Sequence, residues 1–237
     1  MSRFFTLVFM ALLLSSCAHL PAGADKIPGK PESVITELSI PTKEDQTLNR
    51  IGKRLAIHSR NGEHFYHFKL ASLSEINAFT LPGGYIYVFS GIVGVLETED
   101  ELAALLAHEI AHNDMRHFAE QFDWKLPLNL FGTGLSLLTL GILPNPIMMA
   151  LSRQNESEAD RAGLELMVKA DFCPQGMRGL MAKLHTIASL GTPNRYVLSH
   201  PPTNDRLQNI DTMLAAIEAQ GCEETPLDRI EILREPP

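Results

Sequence analysis

The chain has 237 residues, of which 45% are hydrophobic, and it carries 20 lysines and arginines against 28 aspartates and glutamates. The formal net charge of -8 argues against a nucleic-acid partner, because phosphate binding depends on clustered basic side chains. This length suffices for one sizeable hydrophobic core, and the sequence shows no internal repeat.

The N-terminus is typical of a secretory signal. Arg3 is followed by the apolar run 4–14 and then by Ser15-Ser16-Cys17, an order that predicts a signal peptide over residues 1–16. The cysteine resembles that of the lipobox in bacterial lipoproteins, which implies cleavage before Cys17, a lipid on Cys17 and attachment to the cell envelope. Ala18 resembles the pattern that sorts such proteins to the outer membrane, facing the periplasm. An ordinary signal peptide with an incidental cysteine is the alternative.

Residues 17–32 are rich in proline and glycine and predict a flexible tether to a domain over residues 33–237. The first elements of the domain are a helix and three strands, predicted over Thr42–His58, Phe65–Leu73, Asn77–Leu81 and Tyr85–Ser90. Pro82-Gly83-Gly84 separates the last two strands and predicts a turn. We therefore expect a small antiparallel sheet before the next helix.

That next helix is predicted over Thr98–Gln121. Thr98 is a suitable N-cap, and Glu101 follows it at the spacing of a capping box. The small or apolar residues Leu102–Ala107 predict that the helix is buried.

Within this helix, the run His108-Glu109-Ile110-Ala111-His112 has the spacing of a zinc-hydrolase site. Residues four apart share a helix face, so the two histidines can bind one metal ion while Glu109 reaches a water beside it. Burial of these polar groups needs a compensating charge, which one zinc ion per chain supplies. The alternative is an ordinary histidine pair, because so short a motif also arises by chance. His117, nine residues after His108, is expected almost opposite it on the helix, in a structural role.

A third metal ligand is expected, because catalytic zinc takes three protein ligands and keeps one position open. Glu156 and Asp160 lie four apart in a helix predicted over Leu151–Ala170. Glu156 can therefore bind the metal, while Asp160 holds a ligating histidine by its ring N–H. Glu158 falls on another face and is expected in solvent. An ordinary charged surface helix is the alternative.

The remaining segments are less specific. Leu126–Ala150 is uncharged and suits a buried helical hairpin, a flap near the site or a segment dipping into a membrane surface, of which we favour the first two. Two further helices are predicted over Pro174–Ile187 and Asn204–Ala219. Cys173 and Cys222 can pair in an oxidising compartment, a point that the sequence leaves open.

Four motifs follow one another along the chain: Asn77-Ala78-Phe79 with Pro82-Gly83-Gly84, His108-Glu109-x-x-His112, Glu156-x-x-Ala159-Asp160, and His200-Pro201-Pro202 with Asp205-Arg206. Together they resemble metallopeptidase family 48, which includes CAAX prenyl proteases and membrane quality-control proteases of bacteria and mitochondria. The resemblance covers roughly Leu48–Leu214 and is closest to soluble bacterial lipoprotein members. Neither the several membrane helices of the prenyl proteases nor a tetratricopeptide-like domain is expected, which indicates a minimal protease domain and argues against cleavage of prenylated peptides.

The resemblance implies an α+β fold, mainly helical and zincin-like, with the small sheet beside the metal helix. It implies that His108, His112 and Glu156 bind zinc. It also implies that Glu109 is the general base of catalysis and that Asp160 supports a ligating histidine. The domain over residues 33–237 is then a zinc metalloprotease domain acting on proteins or peptides.

Two further expectations come from the same family. His200 is expected near the site, either stabilising the transition state or capping the metal, although an ordinary loop histidine fits as well. Asn77, Ala78 and Phe79 belong to a strand expected to be exposed, where a peptide substrate can add as a further strand; an ordinary hairpin arm is compatible with this.

The predicted function is a zinc endopeptidase of the bacterial envelope that cleaves misfolded or membrane-associated proteins. The alternatives are an autoinhibited or inactive zinc-binding lipoprotein with a chaperone-like or binding role, and a structural lipoprotein with an incidental motif.

Overall fold

A computed structural model describes residues 41–81, 83–117, 152–191, 194–217, 222–228 and 232–233. The predicted signal peptide, the cysteine predicted to carry lipid, the tether and the segment Leu126–Ala150 all lie outside these residues, as does Pro82. Within the described ranges, no helix has the length and apolar character that crossing a membrane requires.

The described chain begins with a short strand and a helix. Strand β1 is Thr42–Lys43, and helix α1 spans Gln46–Ala56. The helix begins later than predicted because Asp45 caps it, its side chain accepting a hydrogen bond from the amide of Leu48 at 2.7 Å. The residues ahead of this cap join the sheet instead.

The sheet has four strands in the order β1-β2-β4-β3, in which β2 is His67–Ala71, β3 is Ala78–Leu81 and β4 is Tyr85–Phe89. The α+β class is confirmed, but the sheet is mixed rather than antiparallel. The reason is that β4 lies between β2 and β3: it turns back antiparallel to β3 and therefore runs parallel to β2. At the predicted turn, Gly83 and Gly84 have φ angles of 89° and 82°, which glycine adopts without strain.

The chain continues through the short helix α2, Ser90–Val93, into helix α3, Glu99–Asp114. As predicted, Thr98 is the N-cap of α3, and its hydroxyl accepts a hydrogen bond from the amide of Glu101 at 3.1 Å. Every residue from Asp100 to His112 is buried, so the predicted burial of this helix is also confirmed.

Four further helices follow in the described residues: α4 is Arg153–Lys169, α5 is Gln175–Ser189, α6 is Arg195–Ser199 and α7 is Asn204–Ala216. Helix α3 packs against α1, α4 and α5 and contributes to one hydrophobic core. Its approach to α4 is close, since a Cβ on Gly163 would lie 3.3 Å from the backbone nitrogen of His108. This packing places the carboxylates of α4 opposite the histidines of α3.

The C-terminal segment 222–228 is fastened to the beginning of α3. Cys173 and Cys222 form a disulfide with their Cα atoms 5.5 Å apart, within the usual range for such a bond. Asp100 accepts hydrogen bonds from the amides of Cys173 and Thr225 at 2.7 and 2.9 Å. The disulfide and this buried carboxylate together hold the N-terminal end of α3 in place.

Candidate metal centre

Four buried side chains converge between α3, α4 and α6. His108 and His112 project from one face of α3, with their Nε2 atoms 2.9 Å apart. Glu156 approaches from α4, and its Oε1 lies 3.3 Å from His112 Nε2. His200, at the end of α6, directs its Nδ1 to within 3.0 Å of Glu156 Oε1. One donor atom from each residue lies within 4.8 Å of the others, so the group is positioned to bind a metal ion.

A buried arginine holds the carboxylates of this cluster. Asp160 Oδ1 lies 3.1 Å from Nδ1 of His108, the ring nitrogen that faces away from Glu156. Arg206 of α7 donates hydrogen bonds from Nε and Nη2 to the two oxygens of Asp160, at 2.8 and 2.6 Å. Its Nη1 lies 2.6 Å from Glu156 Oε2. One guanidinium thus fixes both carboxylates and, through Asp160, the ring of His108.

The charges around the cluster favour a cation. Burial raises the pKa of Asp160, but the charge of Arg206 outweighs it and leaves this pKa below its ordinary value. Burial lowers the pKa of His108, whereas hydrogen bonding to Asp160 and Glu156 raises it to about 9. Burial and the charge of His108 keep the pKa of His112 well below its ordinary value. Carboxylates that stabilise a positive charge on His108 stabilise a metal cation for the same electrostatic reason.

Glu109 lies beside the cluster and is fully buried. Neither of its carboxylate oxygens has a hydrogen-bonding partner within the described residues, and Oε1 lies 3.8 Å from Nε2 of His200. Burial raises the pKa of Glu109 above its ordinary value. A buried carboxylate without hydrogen bonds costs free energy, and its place beside a metal cluster is typical of a group that takes up protons during a reaction.

Helix α6 positions His200 and was not predicted. Its N-cap is Asn194, whose side chain accepts a hydrogen bond from the amide of Val197 at 2.8 Å. The amide of His200 bonds to the carbonyl of Tyr196 at 2.7 Å, and the two rings lie 4.6 Å apart. Burial and the nearby Glu109 raise the pKa of Tyr196 well above its ordinary value, which keeps the hydroxyl protonated. Five residues are too few for a helical period to show in the sequence.

The predicted position of His117 was wrong. Helix α3 ends at Asp114 rather than Gln121, and Arg116 then adopts a left-handed conformation with φ of 59°. The chain turns back, so that His117 is buried and its Nδ1 lies 2.8 Å from Nδ1 of His112. Placing His117 opposite the metal-facing side assumed a helix that continues, which it does not.

The strand predicted to hold a substrate lies beside α3, at the edge of the sheet. Its register with β4 directs the backbone groups of Ala78 and Thr80 away from the sheet. The strand is buried rather than exposed, because Asn77, Ala78 and Thr80 are only 5%, 1% and 2% exposed. Asn113 of α3 also donates a hydrogen bond to the hydroxyl of Thr80 at 3.0 Å.

The donor set of the cluster fits zinc. Two imidazole nitrogens and one carboxylate oxygen are ligands that zinc takes in hydrolases. A carboxylate at the far ring nitrogen, as Asp160 provides for His108, is the usual support of a zinc-bound histidine.

The sequence model of peptidase family M48 matches residues 42–214. The chain belongs to this family. It is therefore a metalloprotease, and its metal is zinc, for which the buried group of His108, His112, Glu156 and His200 is positioned.

The relatives of this M48 protein include bacterial and mitochondrial proteases. The beta-barrel assembly-enhancing protease of Escherichia coli (strain K12) is 33% identical over 180 residues, 68% of this chain and 37% of that protein. The mitochondrial metalloendopeptidase OMA1 of Schizosaccharomyces pombe is 32% identical over 196 residues, 78% of this chain and 58% of the relative. The OMA1 protein of Saccharomyces cerevisiae is 35% identical over 150 residues, 58% of this chain and 43% of the relative. The alignments thus span less than two thirds of each relative.

Proposed function

We propose that the chain is a zinc-dependent endopeptidase of the bacterial cell envelope, with Glu109 as its general base. The observation that carries this proposal is the convergence of two imidazoles and a carboxylate from two separate helices, beside a buried carboxylate that forms no hydrogen bond within the described residues. A structural lipoprotein with an incidental motif would not need this arrangement, because burying such groups together costs free energy unless a cation compensates.

In this proposal His108, His112 and Glu156 hold the metal. Bound zinc supplies a Lewis acid, which lowers the pKa of water and polarises a peptide carbonyl. Glu109 takes the proton of the attacking water while the water oxygen bonds to the carbonyl carbon. As the C–N bond breaks, Glu109 gives the proton to the leaving amine, and the carboxylate is restored. Asp160 and Arg206 keep the ligands in place throughout.

The position of His200 favours a second, autoinhibited state of the same enzyme. Its Nδ1 lies 3.4 Å from Nε2 of His108 and 3.0 Å from Oε1 of Glu156, so His200 would be a fourth donor to a metal held by these residues. Zinc sites closed by four protein ligands are structural, whereas catalytic sites leave one position for water. We infer that this conformation is the autoinhibited form and that His200 leaves the cluster when the enzyme acts.

Casein cleavage by His200→Ala tests this autoinhibition. We expect the variant to cleave casein several-fold faster than the wild type, because removing the fourth donor opens a position for water. The comparison is made at equal zinc content, measured by mass spectrometry. Slower cleavage at full zinc content would instead indicate that His200 stabilises the transition state, and an unchanged rate would assign it neither role.

We infer that the substrates are misfolded or membrane-associated proteins of the envelope. Support comes from the relatives: the Escherichia coli protein is a protease named for enhancing β-barrel assembly, and the yeast proteins are mitochondrial metalloendopeptidases. Asn77, Ala78 and Phe79, at the beginning of β3, are our candidates for substrate pairing, since added strands are read mainly through backbone groups. Because the strand is buried, binding there requires the edge to open.

We also propose that Cys17 carries a lipid and that residues 1–16 are removed as a signal peptide. Support comes from the small residues before Cys17 and the apolar run 4–14. Replacing Cys17 by serine is expected to move the protein from the membrane fraction to the soluble periplasmic fraction, as measured by immunoblotting of separated envelope fractions. Retention of the serine variant in the membrane fraction would contradict lipid anchoring at this position.

A further inference from the structure

His117 has no part in the reaction described above, although its ring reaches the metal cluster. Helix α3 ends in a turn in which the amide of His117 bonds to the carbonyl of His112 at 3.1 Å, and the amide of Arg116 bonds to the carbonyl of Asn113 at 3.0 Å. With Arg116 in the left-handed conformation, this is a Schellman motif. That motif brings the second residue after the helix cap back beside the last turn, so the backbone itself places His117 against His112.

The side chain of His117 links His112, inside the cluster, to Glu158 at the surface. Nδ1 of His117 lies 2.8 Å from Nδ1 of His112, and its Nε2 lies 3.4 Å from Oε2 of Glu158. His117 is 4% exposed, whereas the side chain of Glu158 is 47% exposed and lines a cavity of about 580 Å³. A row of three polar groups thus leads from the centre of the cluster to the surface.

With a metal on His112, one arrangement of protons fits these contacts. His112 directs Nε2 toward Glu156. A metal bound to this nitrogen would leave the proton of the imidazole ring on Nδ1. That N–H donates to Nδ1 of His117, which accepts. His117 must then carry its own proton on Nε2, which faces the carboxylate of Glu158.

We propose that His117 is a positioning residue that orients His112 for zinc binding, with Glu158 as the carboxylate at the outer end. The proposal rests on the zinc site of the proposed function. Each ligating imidazole then has its own carboxylate. His108 contacts Asp160 directly, whereas His112 contacts His117, which in turn contacts Glu158. A zinc-bound histidine whose far nitrogen is held in this way has a fixed ring orientation and tautomer.

Two replacements of His117 separate this role from simple packing. Asparagine can place a carbonyl oxygen where Nδ1 accepts from His112, whereas leucine fills the space without an acceptor. Zinc affinity of the full-length protein is measured by competition with a chromophoric chelator. We expect His117→Leu to bind zinc about 10- to 100-fold more weakly and His117→Asn to stay close to the wild type. His64→Leu, at an almost fully exposed histidine, is the matched control and should change nothing.

The outcomes are distinct. If His117→Leu binds zinc as tightly as His117→Asn and the wild type, His117 does not orient His112, although the zinc site and the proposed function stand. Equal weakening in both variants indicates a packing role and also overturns the proposal. If the wild type itself fails to bind one zinc ion per chain, the proposed function fails first, and this inference fails with it.

Discussion

Replacing Glu109 by glutamine is expected to abolish peptide-bond cleavage while zinc stays bound. Glutamine has nearly the same shape but cannot take up the proton of the attacking water. General acid–base catalysis contributes about 10²- to 10⁴-fold to a rate, so casein cleavage should fall by at least that factor at saturating zinc. Zinc content, measured by mass spectrometry, should remain one per chain, because Glu109 is not a proposed ligand.

The same variant separates chemistry from folding. Burial raises the pKa of Glu109, so its charged form is less favourable in the folded than in the unfolded protein, and at neutral pH it lowers stability. Glutamine removes that charge, and the thermal midpoint of the variant should therefore equal or exceed that of the wild type. Glu165→Gln makes the same change at an exposed position of α4 and serves as control. Cleavage at the wild-type rate by Glu109→Gln would exclude the proposed general base.

The parts of this site that depend on local spacing could be predicted from the sequence. Four-residue spacing on a helix places His108 beside His112, and the same spacing places Glu156 and Asp160 on one face of α4. Capping by Thr98 and the apolar run after it predicted a buried α3, which the structure confirms. Helix periodicity and capping are short-range properties, so a single sequence reveals them.

What was missed depends on contacts between distant segments. Arg206 belongs to one of the family motifs, yet nothing in its neighbourhood indicates that it pairs with carboxylates 46 and 50 positions earlier. The position of β4 between β2 and β3 could not be predicted either, because alternation of apolar residues indicates strands but not their order in the sheet. The position of His117 was predicted wrongly because the helix was assumed to continue beyond Asp114. The left-handed conformation of Arg116, which ends it, has no clear signal in the sequence.

Replacing Arg206 by methionine is expected to lower the stability of the protein strongly. Arg206 is 6% exposed, and its guanidinium pairs with both Asp160 and Glu156. Removing one partner of a buried ion pair costs about 3–5 kcal/mol, because the remaining charge is left in a low-dielectric environment. Urea unfolding of the metal-free variant, compared with the metal-free wild type, should show a loss of that size. Zinc affinity should fall as well, since Asp160 no longer holds His108.

Two other arginine variants decide whether geometry or charge matters. Arg178→Met removes a half-exposed arginine paired with Asp211, and it should cost at most about 1 kcal/mol, because surface ion pairs contribute little. Arg206→Lys keeps the charge but cannot reproduce the fork that binds Asp160 through two nitrogens. Its free energy of unfolding should therefore lie between those of Arg206→Met and the wild type. If Arg206→Met unfolds like Arg178→Met, the carboxylates are held by something other than α7. The metal geometry would then depend on the packing of α3 against α4 alone.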